Sequence, residues 1–198
     1  MSILVTGFGP FGDMKENPSW VAVRQLSGAS INGFKIDTHM FQVSYDEVDS
    51  FVDSISHNDD YEFFLHVGVS SEASNVVLEQ IACCGGYKKP DVFNKLPQTE
   101  SFRSESSPAP VENLSMCTAF DLEMCKAQLH AIGVPASTSS EAGRYLCEYL
   151  YYRSMCRNGG KVLFVHVPMS DVTPTEETTK ILKEIIKICL QQIYPYHG

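Results

Sequence analysis

Short apolar runs alternate along this chain with longer stretches in which apolar residues recur every three or four positions. The runs predict strands near Ile3–Thr6, Phe34–Val43, Phe63–Val69, Val76–Ala82, Gly133–Ser137 and Val162–Val167. The amphipathic stretches predict helices from Pro18 to Gln25 and over Tyr45–Ile55, Ala119–Ala131 and Thr175–Ile193. Asn17 ahead of Pro18 marks the first of these starts, since proline is pre-shaped for the opening position of a helix. Thr138-Ser139-Ser140-Glu141 has capping-box spacing, so a further helix is expected to begin between Thr138 and Gly143 and to run to Asn158, with Gly159 ending it. Strands alternating with helices imply an α/β fold in which helices cover a mostly parallel sheet. One stretch breaks the alternation. Lys88 to Asn113 is rich in Ser, Pro, Glu and Lys and is long for a plain connection, which fits either a flap or an exposed insertion without a role.

Composition narrows the functional classes. At 198 residues with 43% hydrophobic positions, the chain can bury one good core, so a single domain spanning 1–198 is expected. A net charge of -9 with dispersed acidic residues offers no basic stripe for phosphates, which argues against a nucleic-acid partner. No apolar run reaches the length that spans a bilayer, and the start lacks signal-peptide character, so no membrane partner and a cytoplasmic, reducing location are expected. Seven cysteines, an odd number in a chain this long, then read as free thiols. No Cys-x-x-Cys or His-x-x-x-His pair occurs, so no metal is expected.

Two segments carry candidate chemistry. Cys147 lies early in the helix expected after Thr138, where backbone N–H groups and the positive helix end favour a thiolate. His166 lies at the carboxyl end of Val162–Val167, on the face shared by Val162 and Phe164, where open α/β sheets place functional side chains. Thiol and imidazole together can form a nucleophile and base. Each also fits a plain core role, as a small buried hydrophobe for Cys147 and a backbone-satisfied ring for His166. Glu79, inside the apolar run Val76–Ala82, is the best candidate to orient the imidazole, because a carboxylate there is costly unless paired. An edge-strand carboxylate facing water is its other reading.

Gly7-Phe8-Gly9-Pro10-Phe11-Gly12 matches the G-x-G-x-x-G fingerprint of nicotinamide-dependent oxidoreductases. In that fold, however, the loop opens directly into a helix, whereas here Asp13 to Glu16 intervene. Phe8 and Phe11 are expected instead to wall a small apolar pocket, or else to pack beneath the first helix.

Taken together, V-T-G-F-G-P-F-G, N-P-S-W, H-V-G-V-S, V-L-E, G-Y-K, E-A-G-R-Y-L-C with Y-Y-R-S, and F-V-H-V-P resemble the pyroglutamyl peptidase I family, in family order over residues 5 to 168. The resemblance implies a three-layer α/β/α sandwich, a cysteine exopeptidase acting on peptides with N-terminal pyroglutamate, and no metal or cofactor. It further implies a triad of Glu79, Cys147 and His166, with Phe8 and Phe11 against the pyrrolidone ring. A catalytically silent binding relative would share the same motifs. Two positions depart from the family pattern: Cys84 stands where an asparagine is usual, and Lys88-Lys89 precede Pro90-Asp91 where bacterial relatives carry an arginine. Lysine does not reproduce the guanidinium fork.

Overall fold

A computed structural model describes residues 1–55, 61–97 and 114–195. In chain order the elements are β1 (Ser2–Phe8), α1 (Pro18–Arg24), β2 (Ser30–Ile31), β3 (Phe34–Phe41), α2 (Tyr45–Ile55), β4 (Tyr61–Val69) and β5 (Val76–Glu79). They continue with β6 (Ile81–Cys83), β7 (Ser115–Cys117), α3 (Leu122–Ala131), β8 (Ala136–Ser139), α4 (Leu146–Asn158), β9 (Val162–Val167) and α5 (Thr175–Ile193). Among the described residues, seven strands form one sheet in the order β2-β3-β1-β4-β9-β5-β8. Its β3-β1-β4-β9 centre and its β5-β8 pair are parallel, while β5 runs antiparallel to β9 and β2 antiparallel to β3. The expected α/β architecture with a mostly parallel sheet is therefore present.

Both faces of this sheet are covered, which is why its central strands read as continuous apolar runs. Side chains alternate between two buried clusters. Ile3, Val5, Leu65, Leu163 and Val165 pack with residues of α1, α3 and α5, whereas Leu4, Phe64, Val162 and Phe164 pack with residues of α2 and α4. Local chemistry fixes the helix ends. The Asn17 side chain accepts from Ser19 N–H ahead of Pro18, Asp121 accepts from Met124 N–H at the start of α3, and Gly159 ends α4 in the left-handed region at φ 63°.

Several sequence expectations need correction. The capping box at Thr138 does not start a helix. Ser139 closes β8, its hydroxyl accepts from Glu141 N–H in the turn beyond, and α4 begins only at Leu146. The run Val76–Ala82 is two strands, because the chain leaves the main sheet after Glu79 and β6 pairs with β7. Gln80 sits at that junction, donating its N–H to Ser139 C=O and accepting from Thr118 N–H. Strands β2 and β7 were not anticipated, and at two and three residues they are too short to show a period. Of the stretch 88–113, residues 98–113 lie outside the described residues. The part before them is tied down: the Asp91 carboxylate accepts from the N–H groups of Tyr45, Phe93 and Lys95.

Among the described residues, no helix is long and apolar enough to cross a membrane, and no group of three or more His, Cys, Asp or Glu is gathered as for a metal ion.

Candidate active site

Register places the imidazole beside the carboxylate. In the antiparallel β5–β9 pair, Val77 faces His166 and Glu79 faces Phe164, so Glu79 and His166 are diagonal neighbours on one face of the sheet. The His166 Nδ1 to Glu79 Oε1 distance is 2.7 Å. Glu79 is only 2% exposed and His166 9%, so this pair is largely shielded from water. Glu79 is therefore paired with His166 and does not face water. Glu79 Oε2 has no hydrogen-bond partner among the described residues.

Cys147 is the second residue of α4, closer to the helix start than the sequence implied. The cap residue Tyr145 offers no side-chain acceptor to the first turn. Its N–H groups therefore remain available to an anion at this end of the helix. Cys147 and the His166 ring line the same cavity. Burial alone would lower the His166 pKa, but hydrogen bonds to Cys147 and Glu79 outweigh it and raise the ring to about 10. The Glu79 carboxylate thus favours the charged form of the ring.

Room for the sulfur comes from Gly68. This residue lies beside His166 across the parallel β4–β9 pair, and a Cβ built there would stand 2.8 Å from Cys147 Sγ and 2.9 Å from Phe164 Cζ. Only glycine fits without displacing one of them. The neighbouring histidine on β4, His66, is a core residue. It is fully buried, with Nδ1 2.8 Å from Thr6 Oγ1, and burial followed by nearby His39 lowers its pKa to about 3.

Two cavities meet at Cys147. The smaller, about 90 Å³, is lined by Phe8 and Phe11 together with Asn17, Val43, Val69, Tyr145, Leu146 and Cys147. The larger, about 470 Å³, includes Glu79, Cys147 and His166 and is bordered by Glu72, Lys89 and Glu141. Val69 and Tyr145 belong to both walls. Phe8 and Phe11 therefore line the smaller cavity, where Asn17, Val43, Val69 and Tyr145 were missed as lining residues. Asn17 carried only a helix-cap signal, yet its Nδ2 also donates to Gly9 C=O and so closes the glycine loop onto α1. In this loop Phe8 N–H is donated to Ser19 Oγ and Gly9 N–H to Phe41 C=O. Those backbone donors are committed, which removes the basis of the dinucleotide alternative.

The departures separate by location. Lys89 borders the larger cavity, so this departure places a cation beside the site. Cys84 borders neither cavity; it is buried in the α2–α4 cluster and donates its N–H to Leu114 C=O.

A further constellation adjoins Cys147. Glu148 is fully buried, and its carboxylate accepts from Arg144 N–H at 2.7 Å, Arg144 Nη1 at 2.6 Å and Cys83 N–H at 2.9 Å. Arg144 holds a left-handed backbone, φ 51°, which costs a non-glycine residue about 1–2 kcal/mol. The i,i+4 spacing of Arg144 and Glu148 was visible in the sequence; the burial of Glu148 was not.

The family model described as pyroglutamyl peptidase matches residues 1–193. The Homo sapiens pyroglutamyl-peptidase 1 is 32% identical over 202 aligned residues, covering 100% of this chain and 93% of that protein. The Rattus norvegicus pyroglutamyl-peptidase 1 is 33% identical over 84% of this chain and 78% of that protein. A mutant pyrrolidone carboxyl peptidase from Pyrococcus furiosus shares the fold, with a TM-score of 0.83 at 23% identity over 98% of this chain and all of that one. With that match over nearly its whole length, this chain belongs to the pyroglutamyl peptidase family of cysteine peptidases.

Proposed function

We propose that residues 1–198 form one hydrolase domain in which Cys147, His166 and Glu79 remove an N-terminal pyroglutamyl residue from peptides. The observation that carries this reading is the position of Cys147 on the boundary of two cavities, one small and aromatic, the other large and polar. A volume of about 90 Å³ suits a single uncharged ring and is far below the ~300 Å³ at which sites for larger ligands begin. The pyrrolidone ring lies between Phe8 and Phe11, and the rest of the peptide extends into the larger cavity.

The Cys147 thiolate attacks the pyroglutamyl carbonyl. N–H groups of the first turn of α4 receive the developing oxyanion, since Tyr145 leaves them without a side-chain acceptor. His166 gives its proton to the leaving amine, so the C–N bond breaks and a thioester remains on Cys147. Water then attacks the thioester with His166 as base, releasing pyroglutamate and restoring the thiol. Glu79 stabilises the charged imidazole and fixes its tautomer throughout.

A pyroglutamyl-amide reporter run beside a prolyl-amide reporter tests reaction and pocket together. Only the first is expected to turn over, because proline lacks the lactam oxygen, and a pocket group bonded to that oxygen would be left unpaired. Replacing Cys147 with Ala is expected to abolish turnover. Undiminished activity in Cys147→Ala would overturn the assignment, and a folded wild type inert to the reporter would favour the silent relative.

A further inference from the structure

We propose that Glu148 is a positioning residue for the hydrolysis, its buried carboxylate holding the turn that presents Cys147 against the strand that follows Glu79. The inference rests on the catalytic assignment of Cys147 and Glu79 above. Glu148 directly follows the nucleophile, yet it points away from both cavities and lines neither. Its two oxygens gather three donors from two parts of the chain: Oε2 takes Arg144 N–H, and Oε1 takes Arg144 Nη1 and Cys83 N–H. The first two hold the 143–145 turn in its left-handed shape at Arg144. The third reaches β6, only four residues beyond Glu79.

A second tie lies one turn further along α4. Tyr151 donates its hydroxyl to Glu79 C=O at 2.8 Å. Position 151 neighbours both 147 and 148 on the helix surface, so the first turns of α4 are pinned to the 79–83 segment at two points. The spacing between Cys147 and the His166–Glu79 pair is thus set by α4 itself. Around the carboxylate the fit is close. The Arg144 stem packs where a Cβ on Gly86 would stand 3.4 Å away, and the Tyr87 hydroxyl donates to Cys83 C=O. A buried carboxylate with three donors and one cation is stable where it is, and costly to leave half-paired.

The test compares Glu148→Gln, Glu148→Asp and Arg144→Met with wild type and Cys147→Ala in the full chain. The measurements are kcat and KM on the pyroglutamyl-amide reporter, and the rate at which iodoacetamide labels Cys147. Gln keeps the shape but turns an NH2 group toward an N–H donor, so one bond of the clasp must open. A displacement near 1 Å can cost about a hundredfold in rate. Glu148→Gln is expected to lower kcat ten- to a hundredfold with KM within about twofold of wild type, and Glu148→Asp to recover part of the loss. Arg144→Met removes a side chain that is 37% exposed and leaves Glu148 its two backbone N–H donors, so it is expected to act in the same direction and carries the test if Glu148→Gln does not fold. Wild-type kcat and labelling in folded Glu148→Gln or Arg144→Met would overturn the proposal, as would a loss confined to KM. Activity surviving in Cys147→Ala would instead overturn the catalytic assignment beneath it.

Discussion

Replacing Gly68 with alanine adds one methyl group at the most crowded point of the site. That methyl would lie 2.8 Å from Cys147 Sγ and 2.9 Å from Phe164 Cζ, whereas comfortable contact begins near ~3.5 Å, so a neighbour must retreat by about 0.7 Å. Phe164 is fully buried and packs at a tilt against Tyr151, His66 and His166, so it has nowhere to go. Cys147 is partly exposed and borders two cavities, so the sulfur yields. Its displacement from the His166 ring is expected to reduce kcat about a hundredfold, and overpacking to cost about 1–3 kcal/mol of stability. Urea denaturation of wild type, Gly68→Ala, Cys147→Ala and the double variant separates the two neighbours. With the sulfur gone the methyl group fits better, so Gly68→Ala should cost less in the Cys147→Ala background, with a coupling of about 0.5–3 kcal/mol. Equal cost in both backgrounds together with wild-type kcat in Gly68→Ala would refute the argument that the glycine exists to seat the thiol.

Glu79→Gln is expected to lower kcat by at least about a hundredfold while KM stays within a few-fold, since Glu79 supports His166 and an amide can fix the wrong tautomer; a change confined to KM in steady-state assays would contradict this role. The stability of the wild type should also depend on pH through two histidines. His166 is raised from its ordinary 6.5 to about 10, so its contribution is complete below pH 6.5 and is lost as pH rises through 10, a decline in urea midpoint that Glu79→Gln should reduce. His66 is lowered to about 3, so its contribution is present above pH 6.5 and is lost as pH falls toward 3. A midpoint unchanged between pH 6.5 and 10 in wild type would count against the buried imidazolium.

How much of this was legible in the chain follows from the range of the forces involved. Alternation along Val162–Val167 placed His166 with Val162 and Phe164 on one face, and the structure keeps that division because a strand's period is set by its own backbone. Asn17-Pro18 and Gly159 marked helix ends for the same local reason. The capping box at Thr138 misled because its residues were recruited by β8, whose parallel pairing with β5 outweighs a cap. The break between Glu79 and Ile81 carries no local signal, since the apolar run continues through it.

The sequence by itself determined the α/β alternation, the strand faces, most helix ends, the cost of placing Glu79 among apolar residues, and, through its motifs, the family. Tertiary structure decided the antiparallel register of β5 on β9 that brings Glu79 within 2.7 Å of His166, and the close approach that reserves Gly68 for the sulfur. It also decided the burial of Glu148 and the division of the cleft at Cys147. These features join residues more than fifty positions apart, or depend on the packing around them, and no local propensity acts over that distance.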